Sequence, residues 1–143
     1  MALLNYTTSI DVHKTLGEIQ KILVAHGARR IMYDYDDNGH IQALCFQVAT
    51  AEGDRSIKLP ASIPAIFEVL KQQKKAGKIK TNPDYEQAER VGWRIIKDWV
   101  EAQMAILETQ MVQLEEIFLP YMVYRTGQTY FQAYQKNQLL IDG

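Results

Sequence analysis

Ile31-Met32-Tyr33-Asp34-Tyr35-Asp36-Asp37-Asn38-Gly39-His40-Ile41-Gln42-Ala43-Leu44-Cys45-Phe46-Gln47-Val48 is the stretch that decides the fold. Its period is two. Ile31, Tyr33 and Tyr35 alternate with Met32 and Asp34, and Leu44, Phe46 and Val48 share one face of the return strand. Asn38-Gly39 between the two runs predicts a type I′ hairpin, because both residues tolerate positive φ. Outward from it, Glu52-Gly53-Asp54 is a second turn, Ser56-Ile57-Lys58-Leu59 a third strand, and Pro60 its end. Tyr6-Thr7-Thr8-Ser9-Ile10 is short, rich in β-formers, and predicts a fourth strand. The expectation is a small, mostly antiparallel four-stranded sheet.

Helices follow from a change of period. Leu16, Ile19, Ile22 and Leu23 have helical spacing, so residues 14–26 are expected to be helical. Thr15 and Glu18 fit a capping box and Gly27 a C-terminal stop. Ser62 is placed to cap a helix with Ile63, Ile66, Phe67 and Leu70 as its buried stripe. Residues 71–80 are basic and polar, a frayed end leading to an exposed loop. Asn82-Pro83 predicts another start, with Asn at N-cap and Pro at N1. From Asp84 to Leu119 there is no Pro and only Gly92, and Pro120 is the stop. Unbroken, that rod spans roughly 50–55 Å, so it must bend, break, or project onto another subunit. Beyond it come a turn at Arg125-Thr126-Gly127, a short helix with Tyr130, Phe131 and Tyr134, and a loose tail after Asn137.

The fold class is therefore α+β: one domain over residues 1–143, with helices on one face of the sheet and a long C-terminal helix. Residues 1–60 supply the sheet and the first helix, residues 62–120 are helical, and residues 121–143 form a C-terminal segment.

Residues 84–119 carry two apolar seams. One is Ala88, Ile95, Trp99, Ala102 and Ile106; the other is Trp93, Val100, Met104, Leu107, Met111, Leu114 and Phe118, interrupted by Lys97. Together they exceed the about 100° arc of an ordinary surface helix. Either the other helices cover the second seam within one chain, or copies of the chain meet along it. A homo-oligomer, dimer or higher, is the expectation, since Trp, Met and Phe are enriched in interface cores.

Composition excludes several classes. Hydrophobic residues make up 47% and charged residues 23%, which fits a globular domain and not a disordered chain. The balance of 16 Lys+Arg against 17 Asp+Glu demands neither nucleic acid nor an anionic membrane. No apolar run reaches membrane-span length, and Met1 to Tyr6 lack the basic and apolar regions of a secretory leader. Cys45 is the lone cysteine, suited to a reducing compartment and expected to pack; it has no evident His partner for nucleophilic work.

No phosphate loop, zinc spacing, nucleophile elbow or cofactor motif is present, so no catalytic residue, metal or cofactor is assigned. His13, His26 and His40 lie apart, and Asp34, Asp36 and Asp37 read as a charged turn before a cation site. Tyr33 and Tyr35 can form a stacking platform or pack beneath the first helix. Arg29, Arg30 and Arg55 are scattered and carry no role. The candidate ligand contacts are Arg90, Arg94 and Lys97, on one helix face by their spacing of four and three, with Trp93 at its edge. Guanidinium forks match phosphate oxygens and an indole stacks on a base. Against this stand the simple ion pairs Glu86–Arg90 and Lys97–Glu101.

Asn5-Tyr6-Thr7-Thr8, the run Ala88-Glu89-Arg90-Val91-Gly92-Trp93-Arg94-Ile95-Ile96-Lys97-Asp98-Trp99, and Leu119-Pro120-Tyr121 resemble a group of short phage- and prophage-encoded proteins without a settled function. The resemblance carries no catalytic motif. It implies a mobile-element origin, a bacterial cytoplasm, and action by binding. The expected function is a non-enzymatic phage binding protein in host takeover or counter-defence, holding a small anionic nucleotide messenger between subunits, or a host protein. The alternatives are a DNA- or RNA-binding accessory using residues 71–80 and a small nucleotide hydrolase.

Overall fold

The computed structural model describes residues 1–125 and 127–137; the expected tail after Asn137, and Thr126 of the expected turn, lie outside them. The elements are α1 (Val12–Ala25), β1 (Ala28–Tyr35), β2 (Ile41–Thr50), β3 (Gly53–Leu59), α2 (Ile63–Lys75), α3 (Tyr85–Glu108), α4 (Leu114–Phe118), a 3-10 turn (Leu119–Tyr121), β4 (Val123–Arg125), β5 (Gln128–Thr129) and α5 (Tyr130–Gln135). The class is α+β with antiparallel sheets, of three strands in the order β1-β2-β3 and of two strands, β4-β5. Packing groups the chain into two compact units: residues 1–22 with 61–102, and residues 23–60 with 103–143.

In the first unit, the expected strand at residues 6–10 does not form. Asn5 turns left-handed at φ 64°, and Tyr6 and Thr8 donate back to the Leu3 and Asn5 carbonyls at 3.1 and 3.0 Å. The Tyr6 and Thr8 carbonyls accept from Gln87 Nε2 at 3.0 and 2.9 Å. Backbone groups need partners, not ladders, and a side chain on α3 supplies them here. The four-stranded sheet is thereby corrected to three strands.

Helix starts shift for a similar reason. Asp11 accepts from the His13 amide at 3.0 Å and caps α1, leaving Thr15 buried in the helix instead of at its end. Asp84 accepts from the Gln87 amide at 2.7 Å and starts α3 two residues beyond Asn82-Pro83. Ser62 precedes α2 without a side-chain cap bond. Asp caps as well as Asn or Ser and better than Thr, so the acidic residue nearest the apolar stripe wins at both α1 and α3. Gly92 is the close-approach point of α2 and α3: a Cβ there would lie 2.8 Å from Ile63 Cδ1 and 3.2 Å from Ile66 Cγ1.

In the second unit the hairpin forms with a different turn. Asp36 and His40 close a three-residue loop (Asp36 N to His40 O, 2.8 Å), and Asp36 Oδ1 accepts from the Asn38 and His40 amides at 2.9 Å each. Gly39 alone takes positive φ, at 81°. The expected type I′ turn is therefore a loop with one left-handed glycine, because the Asp36 carboxylate holds the loop open by one residue. β2 pairs with β1 (Ile31↔Phe46, Tyr33↔Leu44) and with β3 (Phe46↔Ile57, Leu44↔Leu59). Leu44, Phe46, Val48, Ile57 and Leu59 form the buried face. Phe118 of α4 meets Phe46 edge-on, centroids 5.8 Å apart.

The expected rod over residues 84–119 breaks. α3 ends at Glu108, where Thr109 Oγ1 donates to the Ile106 carbonyl at 2.5 Å and Gln110 takes φ 62°. A hydroxyl competing for a helix carbonyl ends a helix without Gly or Pro. Gln113 and Glu116 then form a capping box that restarts it as α4. α3 alone spans about 36 Å at 1.5 Å per residue. Trp93, Val100 and Phe118 of the second seam are fully buried in the single chain, and Met104 is 2% exposed. Those four positions are dry and do not offer the expected interface, while Leu107 and Leu114 are half-buried. The seam's one strongly exposed member, Met111, lies in the break.

Gly92→Val is expected to lower stability by about 1–3 kcal/mol through overpacking against Ile63 and Ile66. Urea denaturation reads this as a lower midpoint; an unchanged midpoint would deny the close approach.

Candidate functional site

The predicted cationic face does not survive as a set. Arg94 donates from Nη1 to Glu18 Oε2 and to Thr15 Oγ1, the latter at 3.4 Å, and its side chain is 13% exposed. Lys97 Nζ lies 2.7 Å from Glu101 Oε2 and 3.8 Å from Asp98 Oδ1. Trp93 is fully buried, and among the described residues its indole N–H has no hydrogen-bond partner. An indole with no exposed face cannot stack on a base, so Trp93 is a core residue. Arg94 and Lys97 are satisfied by carboxylates of their own chain.

Arg90 stands apart from the other three. Its Nε donates to Gln87 Oε1 at 2.8 Å, and the same Gln87 anchors the Tyr6 and Thr8 carbonyls. Among the described residues Arg90 has no carboxylate partner. It lines an open cleft of about 360 Å³ with residues 6–9, Thr81, Asn82, Asp84 and Gln87. The cleft combines one guanidinium, one carboxylate, four Ser and Thr hydroxyls and the Tyr6 phenol. The hydroxyl-rich segment has the composition of a strand, and no periodicity in the sequence signals that it wraps onto α3.

The basic segment is partly engaged. Lys71 pairs with Glu68 at 3.2 Å and sits 4.6 Å over the Phe67 ring, and Lys74 Nζ donates to the Lys80 carbonyl at 2.7 Å. Ile79 within it is buried. Of the histidines, His26 Nε2 lies 2.7 Å from Glu108 Oε1. Asp36 shapes the hairpin loop, and among the described residues no three His, Cys, Asp or Glu converge where a metal ion would sit. Tyr33 is half-buried and Tyr35 59% exposed. Burial, then the neighbouring Tyr35, pushes the Tyr33 phenol up from its ordinary value.

A second concavity, about 820 Å³, lies on the outer face of the three-stranded sheet. Arg30, Met32 and Asp34 of β1, Cys45 and Gln47 of β2, and Ser56 and Lys58 of β3 line it, with Val123 at its rim. Gln47 Nε2 donates to Ser56 Oγ at 3.0 Å. Burial raises the Cys45 thiol above the ordinary range; Asp34 adds to the rise and Lys58 opposes it. The thiol is thus held protonated at neutral pH, unlike an activated nucleophile.

No family model matches this chain, and no curated protein or solved structure matches it. Among the described residues, no helix is long and apolar enough to cross a membrane.

Glu18→Ala strands a largely buried guanidinium and is expected to cost about 1–3 kcal/mol in urea melts; adding Arg94→Met should recover part of it. Alkylation of Cys45 by iodoacetamide near pH 8 is expected to be slower than in the unfolded chain. Asp34→Asn should accelerate it and Lys58→Ala slow it; the reverse order would contradict the assigned charges.

Proposed function

We propose that the protein is a non-enzymatic binding protein that takes a small anionic ligand of mononucleotide type in the cleft beside Arg90. The observation that carries this reading is the state of Arg90: braced by Gln87, without a carboxylate partner among the described residues, and lining a hydroxyl-rich cleft. A phosphate suits the guanidinium, whose fork matches paired oxygens. Sugar hydroxyls suit the Asp84 carboxylate, and the Tyr6 ring offers a face for a base. A volume of about 360 Å³ is at the lower end of small-molecule sites, which favours a single nucleotide over a dinucleotide.

In this reading one chain holds the ligand by itself. The setting of host takeover or counter-defence is part of the proposal and rests on the resemblance in sequence.

Calorimetry with adenosine 5′-monophosphate and guanosine 5′-monophosphate tests the proposal, with the unphosphorylated nucleosides as controls. Nucleotide binding is expected, with at least about a tenfold loss in Arg90→Ala from the missing charged hydrogen bond. Circular dichroism should be unchanged. Absence of binding to the wild-type chain, or equal binding by Arg90→Ala, would overturn it.

A further inference from the structure

β1 is an edge strand. It pairs with β2 on one side, and among the described residues no strand pairs with it on the other. It has register shifts between Ala28 and Arg30 and between Asp34 and Tyr35, so its regular stretch is Arg30–Asp34, and Met32 at the middle of that stretch is 60% exposed. Its sequence is self-complementary about that methionine. Arg30 stands two residues before Met32 and Asp34 two residues after, so all three project from one face of the sheet. On the opposite face Ile31 and Tyr33 flank Met32 symmetrically, each half-buried.

We propose that β1 is the docking surface for a second copy of this chain, joined edge to edge by a two-fold antiparallel pairing centred on Met32. In that register Met32 faces Met32, and Arg30 of each copy lies directly opposite Asp34 of the other. Facing side chains in such pairs have Cβ atoms about 4.5–5.5 Å apart, within ion-pair reach. Ile31 of each copy faces Tyr33 of the other on the second face. Two opposite charges equidistant from the centre favour this register. A parallel pairing sets Arg30 or Asp34 against a neutral or like-charged residue; a slip of two residues sets Arg30 against Met32 in one direction, and in the other sets Asp34 against Met32 and Arg30 against Asp36, a carboxylate beyond the end of β1 that already holds the hairpin loop. The three-stranded sheets become one six-stranded sheet. Because Arg30, Met32 and Asp34 also line the outer-face concavity, the pairing sets the two concavities side by side on the same side of that sheet.

The surface is distinct from Trp93, Val100 and Met104 of α3, which are dry within one chain, and it does not depend on the ligand cleft. A single eight-residue edge buries less than the roughly 1,200 Å² of a standard interface, so the dimer is expected at micromolar protein and lost on dilution.

Sedimentation velocity across a concentration series tests this on the full chain. The wild type is expected to move from monomer to dimer. Arg30→Asp alone and Asp34→Arg alone should each remain monomeric, because each sets like charges opposite one another. Mixed together they should form a one-to-one dimer, since every charge then faces its opposite. The doubly reversed chain, Arg30→Asp with Asp34→Arg, should self-associate as the wild type does. A second measurement is independent of charge. Met32→Cys in a Cys45→Ser background should give a disulfide-linked dimer on mild oxidation, because facing Cα atoms in antiparallel pairs lie about 4.5–5.5 Å apart, within disulfide range. A wild type that stays monomeric throughout, single reversals that still dimerise, or a Met32→Cys chain that does not cross-link would each overturn the proposal.

Discussion

The burial of α3 inside its own chain is the constraint on which the other features depend. Ala88, Val91, Trp93 and Val100 have no exposed surface and Met104 has 2%. Burying an indole and its apolar neighbours is worth roughly 25 cal/mol per Å² removed from water. That gain offsets an indole N–H left without a partner among the described residues, a group that costs about 1–3 kcal/mol when buried unpaired. It also explains why Gly92 is needed where α2 crosses. On the half-buried part of α3, Arg94 pairs with Glu18, and Lys97 with Asp98 and Glu101.

This arrangement decides which polar groups are left for chemistry. Arg94 faces inward enough to be spent on Glu18 and Thr15. Arg90, one turn earlier, reaches the end of the helix where residues 6–9 cross it. Gln87 is the link between packing and site: its amide nitrogen holds the crossing segment, and its carbonyl oxygen orients Arg90. A single side chain thus couples the fold of the N-terminal segment to the direction of the one guanidinium that faces the cleft.

Much of the fold could be read from local pattern. The meander of β1, β2 and β3 followed from alternation and turn residues, and the apolar stripes of α1 and α2 from helical spacing. Three features were not legible for identifiable reasons. Residues 6–10 have strand composition, but their carbonyls are taken by Gln87, a partner about 80 positions away. The break after Glu108 has no Gly or Pro, and depends on a threonine hydroxyl and a left-handed glutamine. Periodicity groups the apolar residues of 84–119 into two seams, but it cannot say whether a seam is covered by its own chain or by another. The candidate site was legible only at Arg90. Spacing placed Arg90, Arg94 and Lys97 on one face, but not the carboxylates that neutralise two of them.

The central claim is that Trp93, Val100 and Met104 of α3 are dry within one molecule. Acrylamide quenching of Trp93 fluorescence in a Trp99→Phe chain, followed from high micromolar protein down to nanomolar, addresses it directly. The account predicts a blue-shifted, shielded indole whose quenching does not change with dilution, even as any edge-to-edge dimer separates. An indole that turns red-shifted and quenchable as the protein is diluted would show that another copy had covered it, and would contradict the account.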